Sequence, residues 1–173
     1  MLRNNLNGKV IVMVVFCFIA IWVTAQNKAV QVPKIKFTAL DGRKVDLSKM
    51  KGKVVLIDFW ATWCAPCVKE MPHVQAMYSK YRKEGFEVIG ISLDAETAKV
   101  RVVKILEDNH ITYPTRFTGQ GFPNDPYVKE FGIKQLPTVW LLDQAGNIVD
   151  TDVRGDRLEV FIRQCLGLKA LNH

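Results

Sequence analysis

Cys64 and Cys67 stand two residues apart in the stretch Phe-Trp-Ala-Thr-Trp-Cys-Ala-Pro-Cys, residues 59–67, directly after the apolar run 54–57. Two thiols at that spacing can close a small disulfide and, where the first lies at a helix start, can also offer one sulfur to attack. The apolar run reads as a strand and the residues after Cys64 as a helix. Unpaired N–H groups and partial positive charge at a helix start favour a thiolate on Cys64 over a thiol. Pro66 suits a first helical turn, where no N–H is needed. Zinc is the competing chemistry for such a pair, but a closed zinc site takes four ligands, and His73, His110 and His173 have no paired spacing. Covalent haem attachment requires histidine directly after the second cysteine, and Val68 stands there.

Residues 60–67, Trp-Ala-Thr-Trp-Cys-Ala-Pro-Cys, resemble the active-site motif of the thioredoxin superfamily, and Pro72 lies at the distance from the first cysteine where that family also has a proline. The resemblance implies a Cys64–Cys67 disulfide in the oxidised form. It makes Cys64 the nucleophile and Cys67 the resolving thiol, which attacks a mixed disulfide from one turn inside the helix. Asp58 lies inside an otherwise apolar strand, where an isolated charge costs several kcal/mol, roughly, unless it is paired or protonated. It is expected to be buried with a raised pKa, the alternative being an aspartate turned to water. Thioredoxins carry a buried aspartate at this position, proposed to move the proton of the second cysteine. Glu70, one turn beyond Cys67, matches an active-site glutamate of ResA-like proteins, although a glutamate near a helix start is also common for dipole reasons alone. Trp60 and Trp63 are expected to shield the exchange and offer an apolar contact surface, or else to pack in the core. Leu136-Pro137, just before the run 139–142, resembles the family's cis-proline loop. There the backbone of Leu136 would pair with an extended substrate segment as an added strand. Cys165, on the apolar face of the last helical pattern, reads as a buried structural thiol.

These groups must be held by a regular frame. Residues 35–47 read as a hairpin turning at Asp41-Gly42, and 54–59 as a continuous apolar strand buried on both faces. From 67 to 84 apolar residues recur at Met71, Val74, Tyr78 and Tyr81, with Gly85 as a C-cap and a kink expected at Pro72. A strand over 86–92, a helix over 96–109 and an extended piece over 112–117 follow, which implies parallel strands joined by a helical crossover. After a Gly/Pro loop at 119–126 come a short helix at 127–131, a hairpin made by 139–142 and 148–151, and a final helix carrying Leu158, Phe161, Ile162, Cys165 and Leu166. The fold class expected is α/β: a thioredoxin-like mixed sheet flanked by helices, with an N-terminal β-hairpin and a central helix-strand insertion over 93–118. Both additions resemble the exported TlpA/ResA-like branch, and the resemblance covers about residues 33–168.

The 173 residues, of which 49% are apolar and 24% charged, suit one globular domain behind a distinct N-terminus. Arg3 and Lys9 precede the apolar run 10–23, which is short for a spanning helix, since that needs about 17 to 25 residues. Val23-x-Ala25 resembles a signal-peptidase site. Residues 1–25 are therefore expected to be a signal peptide or an uncleaved membrane anchor, 26–32 a linker, 33–168 the domain and 169–173 a tail. Either N-terminus puts the domain outside the cytoplasm, in a bacterial periplasm, secreted, or anchored at the outer face of the inner membrane. Phe16 before Cys17 argues against lipid anchoring. The formal charge is +7, and Arg3 and Lys9 are its only contributors before residue 26, so +5 remains beyond them. The basic residues are scattered, unlike a nucleic-acid-binding stripe. The expected activity is protein thiol-disulfide exchange, with no cofactor or metal. Its direction is that of a reductant fed by a membrane thiol-disulfide electron donor and acting on disulfide-containing proteins, apocytochrome c among the family's substrates. Disulfide donation uses the same residues. A peroxiredoxin-type peroxidase lacks its cysteine pattern here, and a copper chaperone of this fold uses wider cysteine spacing.

Overall fold

Residues 33–169 are described here from a computed structural model, so the signal-or-anchor expectation for residues 1–25, the linker and most of the tail lie outside the described residues. Strands β1 (Lys36–Thr38) and β2 (Lys44–Asp46) form the opening hairpin. Asp41 takes the turn by accepting from the Arg43 N–H at 3.0 Å, and Gly42 supplies the positive φ of 85°. Strand β3 (Val54–Trp60) is buried at every position. It pairs in parallel with β4 (Phe86–Ser92), which pairs in parallel with the edge strand β5 (Thr115–Phe117). On the other side β3 pairs antiparallel with β6 (Thr138–Leu142), and β6 with β7 (Ile148–Asp150). The resulting mixed sheet runs β5-β4-β3-β6-β7, with β3 at its centre.

Alternation along β3 sends its side chains to two different cores. Val54 and Leu56 pack with Val74, Tyr78 and Tyr81 of α1 (Ala65–Tyr81) and with Leu158 and Ile162 of α4 (Asp156–Cys165). Val55, Ile57 and Phe59 pack on the opposite face with the opening hairpin and with Tyr127 and Val128 of α3 (Pro126–Phe131). Asp58 and Trp60 share the parity of Leu56, so they point to the α1 face. There Val102 of α2 (Lys99–Asp108) closes over Trp60, Cys64, Cys67 and Met71.

Helix α1 runs through Pro72 and passes into a 3-10 turn that ends at Gly85, whose φ is 100°. The extended piece expected over 112–117 is a strand only from Thr115. Before it, Thr112 donates its N–H to the Gln75 side chain at 2.9 Å, and Pro114 has no N–H to give a ladder. Gly90 of β4 is required by close approach, because a Cβ there would stand 2.7 Å from Thr115 Oγ1. Cys165 corrects the expectation of a buried thiol. It closes α4 at the rim of the core, half-buried and free, with its pKa raised by burial.

Candidate active site

The chain leaves β3 at Trp60, opposite Ser92 of β4, while Thr138 opens β6 opposite Phe59. Loop 61–63 and the loop ending at Pro137 therefore meet at one end of the sheet, over the start of α1. Cys64 and Cys67 form a disulfide there, with Cα atoms 5.3 Å apart. Cys64 is the N-cap of α1, and its Sγ accepts the Cys67 N–H at 3.3 Å. A thiolate on Cys64 would thus meet an N–H and the positive end of a 17-residue helix together. Both cysteines are largely covered, at 5% and 3% exposure. Exposure belongs to Trp63, Ala65 and Pro66 around them.

Asp94, which sequence reasoning missed, fixes the approach to Cys64. Its buried carboxylate accepts from the Thr62 N–H at 3.0 Å, from Thr62 Oγ1 at 2.8 Å and from Ser92 Oγ at 2.9 Å. An aspartate just past a strand reads in sequence as a turn residue, and only the pairing of β3 with β4 brings Thr62 to it.

Asp58 is buried on the α1 face, and its pKa is pushed up to about 7, first by burial and then by the Glu70 carboxylate, with Arg154 opposing. The Tyr113 hydroxyl, also missed from sequence, is buried without a hydrogen-bond partner, and its pKa is raised by burial and by Asp58. Glu70 is partly exposed. Its Oε1 accepts from the Gly155 N–H at 2.8 Å and from His73 Nδ1 at 3.1 Å, which ties α1 to the segment before α4. It thus joins Asp58 electrostatically and is held by Gly155 and His73.

Trp60 and Trp63 separate. Trp60 has no exposed surface and packs with Cys64, Cys67 and Met71, the core-packing alternative of the two expected for it: β3 points it inward, where it covers the disulfide and offers no surface to a partner. Trp63 is 59% exposed, and its ring meets Phe122 edge-on at 6.2 Å. Leu136 packs against the disulfide cluster, and the Leu136–Pro137 bond is cis. Among the described residues no group of three or more His, Cys, Asp or Glu side chains converges as a metal site would.

The Redoxin family profile matches residues 25–160. A thiol-disulfide oxidoreductase ResA of Bacillus thuringiensis subsp. konkukian is 29% identical over 175 residues, spanning 96% of this chain and 97% of the relative. Another ResA, from Bacillus cereus, is 32% identical over 136 residues, 79% of this chain and 75% of that protein. Among solved structures, a Chlorobium tepidum protein assigned as the thiol:disulfide interchange protein DsbE superposes with a TM-score of 0.68 at 31% identity, covering 79% of this chain and 96% of its own.

Proposed function

Because this chain belongs to the Redoxin family, as a TlpA/ResA-like protein thiol-disulfide oxidoreductase of the thioredoxin superfamily, we propose that it works as a reductant outside the cytoplasm, through Cys64 and Cys67. The observation that carries the thiol-disulfide chemistry of this pair is the disulfide at the start of α1, with the Cys67 N–H on Cys64 Sγ. In the reduced protein the Cys64 thiolate attacks a substrate disulfide, forming the mixed disulfide and releasing one substrate thiolate. Cys67, deprotonated with help from Asp58, then attacks Cys64 Sγ. The second substrate thiolate leaves, and the Cys64–Cys67 disulfide forms. Two electrons pass from the protein dithiol to the substrate. Glu70 biases the Asp58 proton through its charge, and Leu136 and Pro137 border the docking site.

Reductant direction is supported by Ala65-Pro66, which lacks the histidine that strongly oxidising relatives carry between their cysteines. An extracytoplasmic site is supported by the basic-then-apolar residues 1–25, read as a signal or anchor ahead of a domain over 33–168. Such a place calls for a membrane thiol-disulfide donor to re-reduce the pair. Among the oxidised proteins it would serve, apocytochrome c is the substrate we propose.

The test is to trap partners with Cys67→Ser. A mixed disulfide on Cys64 escapes quickly only through Cys67, so this variant should accumulate covalent adducts that dithiothreitol releases and that the Cys64→Ser, Cys67→Ser double variant lacks. Adducts with haem-attachment proteins mean cytochrome maturation, and a broad spectrum means general disulfide reduction. Adducts forming equally through Cys165 would overturn Cys64 as the sole nucleophile.

A further inference from the structure

We propose that the lysine-rimmed cleft between the opening hairpin and the β6–β7 turn docks on a bilayer surface carrying anionic phospholipids, its lysines taking the headgroup phosphates. The proposal goes beyond thiol-disulfide exchange and concerns the end of the sheet remote from Cys64.

The cleft has a volume of about 540 Å³. Ile35, Leu47, Val55 and Leu142 line it, each at most 4% exposed, so its floor is apolar. Its rim carries Lys34, Lys36, Lys51 and Lys53, all exposed. In Lys34-Ile35-Lys36 the alternation of an extended segment sends the apolar residue to the floor and its two neighbours to water. Val55 stands five residues before Trp60 on β3, so at about 3.3 Å per residue the cleft lies roughly 16 Å along the sheet from the end that holds the disulfide.

An adjoining groove of about 610 Å³ shares Lys36, Met50 and Lys53 with the cleft and adds Lys44 and Lys49. Against these six lysines the two depressions have only Asp46 and Asp143. Both aspartates are engaged in turns: Asp46 accepts from the Ser48 N–H at 3.1 Å, and Asp143 from the N–H groups of Ala145 and Asn147 at 2.9 and 2.8 Å. Lys36 pairs with Asp46 at 3.7 Å and Lys53 with Glu87 at 2.5 Å, while Lys34, Lys44, Lys49 and Lys51 have no ion pair among the described residues. The backbone under this charge is fixed. Leu47 donates its N–H to Ile35 O at 2.9 Å and Gly52 to Gln144 O at 2.9 Å, which ties the hairpin, the 3-10 turn over Leu47–Lys49 and the β6–β7 turn together around the cleft. Little ordering of the chain is then left to oppose docking.

The occupant follows from the charge and from where the chain enters. Lysines spread over two adjoining depressions match a surface of many phosphates better than one small anion. Pro33 lines the cleft, ten residues after the apolar run 10–23 ends. Ten extended residues reach at most about 36 Å, so a run held in a bilayer, as the anchor reading of residues 1–25 has it, keeps these lysines close to the headgroups. Basic residues near such a segment are drawn to anionic lipid once they come within a Debye length. Docking there leaves the disulfide end of the sheet free.

The test places the full chain on vesicles of phosphatidylcholine alone and of phosphatidylcholine with phosphatidylglycerol, and reads lysine acetylation by a membrane-impermeant reagent in the mass spectrometer. Any tethering by the N-terminal apolar run is common to both vesicles, so the comparison isolates headgroup charge. Lys34, Lys36, Lys49 and Lys51 should react about fivefold more slowly on the anionic vesicles, the scale of one lysine's attraction to such a surface. Lys69 of α1 and Lys104 of α2, exposed elsewhere, should react equally on both. In about 1 M salt, where the Debye length is about 3 Å, the difference should vanish. Lys34→Gln with Lys51→Gln should cut the slowing at Lys36 and Lys49 to about twofold or less. Lys99→Gln with Lys104→Gln, which removes the same charge from α2, should leave it unchanged, and equal helical circular-dichroism signals for the two double variants separate lost docking from lost folding. Equal rates on the two vesicles overturn the docking, whether the four lysines all react quickly or all react slowly because residues 26–32 of the chain fill the cleft. Slowing of Lys69 and Lys104 as large as that of the four overturns it as well, since the charge would then act without regard to the cleft. No thiol takes part, so either outcome leaves the Cys64–Cys67 chemistry untouched.

Discussion

At Asp58 burial and two neighbouring charges set how tightly one proton is held. Burial and Glu70 raise its pKa from 3.8 to about 7, and Arg154 pulls the other way. The folded value lies above the unfolded one, so between about pH 4 and 7 the native state keeps a proton that the unfolded chain has lost. Stability linked to this group is therefore greatest below about pH 4 and falls as pH rises to about 7, above which the buried carboxylate costs on the order of 4 kcal/mol. Asp58→Asn should accordingly be more stable than the wild type at pH 8, with the gap narrowing toward pH 4, read as urea midpoints at the two pH values. The same variant has no proton to exchange with Cys67. Its resolution step should slow about a hundredfold, the lower reach of general acid-base effects, and between about pH 6 and 9, the range that spans ordinary thiol pKa values, should follow the ionisation of the Cys67 thiol alone. A resolution rate equal to wild type across that range would remove Asp58 from the proton route.

Among the elements, the segments that frame the site differ in how they are held. Strand β3 is fixed by apolar side chains on both faces, whereas the loop before α3 is held by backbone hydrogen bonds of Gly121 and Phe122 to the segment after β4 and, at its far end, by one buried ion pair. Arg116 and Asp125 lie at 7% and 0% side-chain exposure, and the Arg116 guanidinium also sits 4.1 Å from the centre of the Tyr127 ring. Removing one member strands the other, so Asp125→Ala should cost about 3 to 5 kcal/mol in urea unfolding and also loosen the Phe122 loop. Gly90→Ala acts by volume instead. Its Cβ would press on Thr115 Oγ1 and also stand 3.2 Å from Tyr113 Cε2, so about 1 to 3 kcal/mol should be lost as β5 shifts at the sheet edge.

The difference between these elements also explains what could be read from sequence. The strand 54–60, helix α1 and the cysteine pair were legible because their signals are local: a continuous apolar run, a 3.6-residue period with Gly85 at its end, and a fixed spacing. Asp58 was legible because a carboxyl inside such a run has few alternatives. Asp94, Arg116, Asp125 and Phe122 were not, since each looks like an ordinary loop or edge residue until β4, β5 and the 118–125 loop are brought together. Trp60 and Trp63 looked alike in sequence because both flank the motif, and strand parity alone sent Trp60 inward.

On the scale of the whole molecule, direction of electron flow and fold stability are two sides of one thermodynamic cycle. Oxidised and reduced forms can each unfold, and the unfolded forms interconvert with the potential of an unconstrained Cys-x-x-Cys segment. If the native pair is more reducing than that segment, the fold must be more stable with the disulfide closed, and if it is a disulfide donor, the reduced fold must be the more stable one. Every 30 mV of difference corresponds to about 1.4 kcal/mol. A reductant should therefore show a higher urea midpoint when oxidised. With an unfolding slope of about 2 kcal/mol per molar urea, a 30 mV offset moves the midpoint by roughly 0.7 M. The measurement needs only two titrations of the full chain, one after oxidation and one in excess dithiothreitol, with Cys64→Ser, Cys67→Ser as the control that should respond to neither treatment. A higher midpoint for the reduced protein would reverse the proposed direction while leaving the Cys64–Cys67 chemistry in place.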